Sequence, residues 1–392
     1  MIEARGEQAL DVPCFPRGHP LPVYSRITKP QIPLARSSLV KRLLVNTFSV
    51  WLAAWACLLI APAKAALVSY QMVTVGNAGN ASDSNGYGAV AYEYQIGKYG
   101  MTIGQYTAFL NAVDPDGTNP NDIYNSSMRS NLNIAGISYN FYASHGSKYS
   151  VYAPFGLIQI PQATAANRPI TFVSWFDAAR FANWMTNGQG SGSTETGAYT
   201  LNNATSGSAV AANPGAAFRL PTNNEWYKAA YYDGSGSYYA YATQSNDTPG
   251  NTIGSAANQA NYYNGVSYSV TQSGNYDPDQ NYLTDVGAFS GSGSFYGTFD
   301  QSGPVWQWND LDGTTGSSRG LRGGDWFNLH YALASSGLTT APPSFEGFYG
   351  FRLASPVSSS AVPEIDPTGM GSVLALVAGA LGLLERRRLR AA

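Results

Sequence analysis

Phe218-Arg-Leu-Pro-Thr-Asn-Asn-Glu-Trp226 is the stretch that decides how this chain folds. Thr222 and Glu225 have the spacing of a capping box, in which each side chain satisfies an orphan backbone N–H of the first helical turn. Pro221 precedes the cap, where it interrupts no helix hydrogen bond. Trp226 then opens the buried face of a short helix that runs into Lys228 and Ala230. Three further phrases follow in order along the chain: Gly303-Pro-Val-Trp-Gln-Trp308, Leu321-Arg-Gly-Gly-Asp-Trp326 and Gly350-Phe-Arg-Leu-Ala354.

Composition sets the frame around these phrases. Hydrophobic residues make up 44% of the 392, enough for a sizeable core. Charged residues are 12%, against about 25% in an ordinary soluble domain. Gly (42) and Tyr (27) are abundant instead, a surface chemistry that points to an exported protein. The net charge is -2 and no basic stripe interrupts the central region, so nucleic-acid binding has no electrostatic support. Both cysteines, Cys14 and Cys57, precede the expected start of the mature domain. That domain then has no disulfide, no Cys-based metal site and no Cys nucleophile.

Residues 1–65 read as an N-terminal extension and a signal peptide. Lys41-Arg42 precede the apolar run from Leu43 to Ile60, and Ala63-Lys64-Ala65 has the small-x-small pattern of a cleavage site. One domain is expected over 66–356, followed by a linker with a candidate sorting motif over 357–369. That motif is Val362, Pro363, Glu364, Ile365, Asp366 and Pro367. Residues 370–385 are apolar and are expected to span a membrane, although the run is shorter than the ~20 residues of a comfortable spanning helix. The arginine-rich end, 386–392, is expected to stay in the cytoplasm. Gly- and Asn-rich stretches at 187–217 and 234–258 read as surface insertions.

Within the domain, Val90, Tyr92, Tyr94 and Ile96 alternate with Ala91, Glu93 and Gln95, the period of a half-buried strand. Thr102-Ile-Gly-Gln105 is a second capping box, opening a helix with Tyr106, Phe109, Leu110 and Val113 on one face. Ser174-Trp-Phe-Asp177 has similar spacing and opens another, with Trp175, Ala178, Phe181, Ala182 and Met185 as its apolar stripe. Trp306 and Trp308 have strand spacing and should share a core face. Gly323-Gly324 predicts backbone at positive φ or a close approach. Arg352 predicts a buried charged hydrogen bond. The fold class is α+β, with much irregular backbone.

In this order the four phrases resemble the formylglycine-generating enzymes, also called sulfatase-modifying factors. Ile96-Gly-Lys-Tyr99 and Pro169-Ile-Thr-Phe-Val-Ser-Trp175, each leading into a helix, extend the resemblance over roughly residues 90–354. It implies a loop-rich variant related to the C-type lectin fold. Oxidase members carry two cysteines shortly after the Arg-Gly-Gly phrase, which bind copper and activate oxygen. Asn328 and Leu333 stand at about those positions, and neither supplies the soft thiolate that Cu(I) needs. Copper and the oxidase reaction are therefore not expected.

Other chemistry is thinly supported. An iron centre of two histidines and a carboxylate would have to use His145 and His330, which nothing in the sequence brings together. His330 reads as a polar partner of Asp325. Gly316-Ser-Ser-Arg-Gly320 has the letters of a nucleophile elbow without the strand before it and helix after it. The resemblance also implies a structural calcium, for which Asn261 with Asp277 or Asp279 supplies hard oxygens. A second calcium position falls on Pro304 and Gln307, and that site is expected to be lost. The tail resembles the PEP-CTERM class of sorting signals, whose partner is an exosortase-type enzyme. Together these imply an exported, surface-sorted domain without the catalytic cysteines. Its expected role is binding or matrix organisation, with a polysaccharide or surface protein as partner. The alternative is a diverged metal-dependent oxidase.

Overall fold

The structure is a computed structural model that describes residues 67–152 and 165–357. Strands β1 (Met72–Val75) and β2 (Tyr94–Gly97) pair antiparallel, and the last strand, β9 (Ala354–Pro356), returns to the other edge of β2. Helix α1 (Ile103–Val113) follows, then a single turn α2 (Ser127–Ser130) and the hairpin β3 (Ile137–Tyr139) to β4 (Tyr149–Val151). Helices α3 (Trp175–Thr186) and α4 (Asn223–Tyr231) come next. A four-stranded sheet of order β7-β6-β5-β8 closes the architecture, from β5 (Trp306–Asn309), β6 (Arg319–Arg322), β7 (Thr339–Ala341) and β8 (Tyr349–Gly350). Long segments carry no regular structure, as expected for a chain so rich in Gly and Asn.

All three long helices start at the capping boxes read from the sequence, with reciprocal bonds at Thr102/Gln105, Ser174/Asp177 and Thr222/Glu225. The α1 face is as expected: Tyr106, Phe109 and Leu110 are fully buried and Val113 packs partly buried against the core. Helix α3 differs. Eleven of its 12 residues are buried, on every side of the helix, Arg180 and Asn183 included, because the chain wraps over its outer face. The wrapping segment belongs to 187–217, so that stretch is not simply a surface insertion. Tyr199 within it is fully buried and donates to Asp310, while the Asn183 amide binds Thr194 and Tyr199 backbone.

The expected strand over 90–96 is shorter than its alternation suggested. Only Tyr94–Gly97 pairs, and Tyr92 is exposed, its hydroxyl turned to the Glu225 carboxylate. A long-range bond outweighs the local period here. Trp306 and Trp308 both pack on the main core, Trp308 completely buried with its indole N–H on the Val173 carbonyl.

Anchorage through a C-terminal helix is corrected. Among the described residues no helix is long and apolar enough to cross a membrane. The longest, α3, has 12 residues, where a span needs ~20. The segments expected as extension and signal peptide (1–65), sorting motif (362–367), spanning run (370–385) and basic end (386–392) lie outside the described residues.

Candidate functional site

The four phrases converge on one residue, Gln307, two of them through its side chain and one through strand pairing. Its Oε1 accepts from Trp226 Nε1 at 3.1 Å and from Arg352 Nε at 2.7 Å, and its Nε2 donates to the Asp300 carbonyl at 2.7 Å. In the sheet, Gln307 on β5 lies opposite Arg322 on β6. Arg352 completes its fork on the carbonyls of Gly97 and Phe299. Burial pushes that guanidinium down to about 10. At the position that the resemblance sets against a second calcium ligand stands a neutral amide whose oxygen already serves two donors. This network holds β5 and β6 in place beneath the candidate site.

From β6 the chain enters Gly323 and Gly324, at φ 99° and 70°. A Cβ on Gly324 would lie 2.8 Å from Leu333 Cδ1, so only glycine admits this crossing. Asp325 then folds the turn: its Oδ1 accepts from the backbone of Phe327 at 2.9 Å and Asn328 at 3.1 Å. The Asn328 oxygen accepts in return from the Asp325 backbone at 3.0 Å. Burial lifts the Asp325 carboxyl to about 6, against the two backbone bonds that favour its charged form. The expected Asp325–His330 pair therefore does not form: Asp325 is spent on the turn, and His330 is exposed beside Tyr331.

The two positions that the resemblance sets against the cysteines, Asn328 and Leu333, are both consumed by the fold. Leu333 is fully buried and packs with Tyr241, Ala260, Tyr262 and Ala332. Asn328 is half-buried and locked in the turn, its carbonyl accepting from Tyr263. Neither is a reactive group in an open cleft. Trp326 and Phe327, in the same turn as Asn328, belong to an aromatic face that sequence reasoning missed. Trp326 stacks flat on Tyr282, with centroids 4.4 Å apart and planes 1° from parallel. Tyr268 lies against Tyr282, Trp326 and Phe327. The outer rings, Phe327 and Tyr276, are each 50% exposed. The number of tyrosines between 262 and 282 was the available signal, but no periodicity in a loop assigns them to one face.

Asn261, Asp277 and Asp279 come to lie in different surroundings. Asn261 is buried, and its amide donates to the Tyr282 carbonyl and Thr284 hydroxyl. Asp277 and Asp279 are exposed, with Asp277 Oδ1 accepting from the Asp279 backbone. The loop is clamped by Asn133, whose amide reaches the carbonyls of Asp277, Pro278 and Gln280. Among the described residues no three His, Cys, Asp or Glu side chains gather as a metal site. His145 is far along the chain in the β3–β4 hairpin, paired with Asp116 at 2.9 Å. The Gly316–Gly320 stretch leads straight into β6 and lacks the helix a nucleophile elbow needs.

A sulfatase-modifying factor enzyme 1-like domain matches residues 73–357. The chain belongs to that family. Three solved structures are similar to it at low identity. CarF has 20% identity and a TM-score of 0.43, over 74% of this chain and 100% of its own. Variable protein 1 of Treponema denticola has 19% identity and a TM-score of 0.42, over 75% and 97%. PvdO from Pseudomonas aeruginosa has 16% identity and a TM-score of 0.36, over 74% and 93%. No curated protein matches the chain in sequence.

Proposed function

We propose that this sulfatase-modifying-factor domain is a binding domain and not a copper oxidase. One observation carries the reading. The two positions of the reactive thiols hold a packed Leu333 and a turn-forming Asn328. A copper oxidase of this family depends on thiolates, and neither side chain can supply one. The turn that holds Asn328 also carries an aromatic face with half-exposed Tyr276 and Phe327. Rigid rings of this kind give large contact area at low entropy cost. The sparse charge supports export, as do the signal-peptide pattern ending at Ala65 and the sorting-type motif Val362–Pro367. The loop-dominated chain around three small sheets supports its reading as a C-type-lectin-related variant.

The oxidase part is tested by supplying Cu(I), oxygen and a cysteine-containing sulfatase peptide to the intact chain. No oxygen consumption and no formylglycine are expected; turnover of the peptide overturns the reading. The binding part is tested by retention of the exported protein fraction on immobilised wild type and on a Phe327→Ala/Tyr276→Ala variant. The expected result is a component held by wild type and lost from the variant. Identical retention by both would remove the aromatic face from the proposal.

A further inference from the structure

A cavity of about 410 Å³ opens between the α1–α2 connection and the β3–β4 hairpin. Tyr124, Tyr139 and Tyr149 form its wall, with ring centroids 5.2 to 6.1 Å apart. Asn119, Asp122 and Asn125 form its rim. The donors among these groups are already used. Tyr139 donates to the Gly117 carbonyl, Tyr124 to that of Ile137 and Tyr149 to the buried Asp114 carboxylate. The Asn119 amide donates to the Tyr124 carbonyl, and the Asn125 amide to Glu346. Asp122 is different. Its carboxylate is exposed and receives only one long contact, 3.4 Å from the Asn119 amide. The cavity therefore offers aromatic faces and a spare anionic acceptor, and few free donors.

The same chain shows what that chemistry holds. The Arg322 guanidinium lies 4.8 Å from the ring centres of both Tyr87 and Tyr227. It also donates to the Asn223 amide oxygen and to the carbonyls of Ser335 and Gly337. Tyrosine faces and neutral oxygens are sufficient there to bury a cation. Among the described residues no side-chain cation lies over Tyr124, Tyr139 or Tyr149, although the Arg129 charge reaches the Tyr124 hydroxyl. Arg129 lies over the Tyr152 ring and Lys148 over Phe141. Behind the Asn125 wall, Glu346 adds a further carboxylate.

We propose that this cavity binds an organic cation, a guanidinium or alkylammonium group, supplied either as a small amine or as a basic side chain of a peptide. The tyrosine rings supply the quadrupole attraction, and Asp122 supplies the charge partner that Arg322 lacks. The site does not depend on the aromatic face at Phe327 or on the absence of oxidase chemistry.

Calorimetric titration of the intact chain tests it, with arginine, choline, a blocked Arg/Lys peptide and the neutral polyol inositol as probes. Arginine and choline are expected to bind saturably, more weakly at high salt, and inositol not to bind. Tighter binding of the peptide than of free arginine assigns the basic side chain as the natural source; the reverse assigns a small amine. Asp122→Asn sits at an exposed position that the fold does not need, and should weaken arginine binding roughly tenfold. Tyr139→Phe keeps the ring and should retain binding, whereas Tyr139→Leu should lose it. No saturable binding of any cation, equal binding of inositol, or an affinity untouched by Asp122→Asn and Tyr139→Leu together overturns the proposal.

Discussion

At Gln307 a neutral amide stands where the family resemblance places a carboxylate, and its bonds to Trp226, Arg352 and Asp300 use it fully. Gln307→Glu would keep both accepted bonds but set two acceptors against each other at the Asp300 carbonyl. A loss of about 1–2 kcal/mol is expected, read by urea unfolding. No calcium-dependent rise in Tm should appear, because Arg352 already supplies the positive charge. Leu333 makes the complementary point. Leu333→Ala removes a fully buried side chain from a closed cluster, and should cost roughly 2–5 kcal/mol. Asp325 gives a pH signature. Its folded-state carboxyl titrates at about 6, above the ordinary 3.8, so the folded state favours the protonated form. The associated stability is fully present below the unfolded value and is lost as pH rises through the folded one. Asp325→Asn keeps the acceptor oxygen of the turn, and should flatten the decline in Tm across that window. An unchanged slope would show that Asp325 ionises freely.

At the scale of elements, the first turn of α4 joins two effects of different size. Thr222 caps the helix, and Glu225 completes the box while bonding Arg219 through both oxygens. Glu225 is fully buried. Burial alone pushes its carboxyl up, but the Arg219 pair and the Thr222 backbone outweigh that and hold it below the usual 4.5. Its contribution is therefore present above the unfolded value and lost as pH falls through the folded one. Thr222→Ala should cost about 1 kcal/mol. Glu225→Ala leaves the partly buried Arg219 guanidinium without its carboxylate and should cost more, about 2–3 kcal/mol. Equal losses in denaturant titrations would mean that the ion pair contributes nothing beyond the cap. The three helix starts were legible because a capping box is an i, i+3 pattern. The start of β2 was not, because Tyr92 follows a partner 133 residues away.

Over the whole molecule, tertiary closure replaces charge. Arg180, Arg319, Arg322 and Arg352 are all within 1% of complete burial. Two pair with carboxylates, Arg180 with Glu195 and Arg319 with Asp310. Arg322 and Arg352 rely instead on carbonyls, amides and tyrosine faces. Long segments without regular structure are held in this way, and it explains why stretches such as 187–217 turn inward around residues like Tyr199.

The amino-acid sequence by itself determined the family, the helix starts and the missing thiols. Each of these is a matter of residue identity or of neighbours three positions apart. Only the tertiary structure decided that the four phrases meet at Gln307, across separations of 81 residues to Trp226 and 45 to Arg352. It alone placed Leu333 in a closed cluster, set Tyr124, Tyr139 and Tyr149 around one cavity and gave Phe327 and Tyr276 a common face. The physical reason is that loop residues have no repeat to direct their side chains. Their positions follow from which distant partner satisfies a hydrogen bond or fills a volume, and that is settled only when the chain closes on itself.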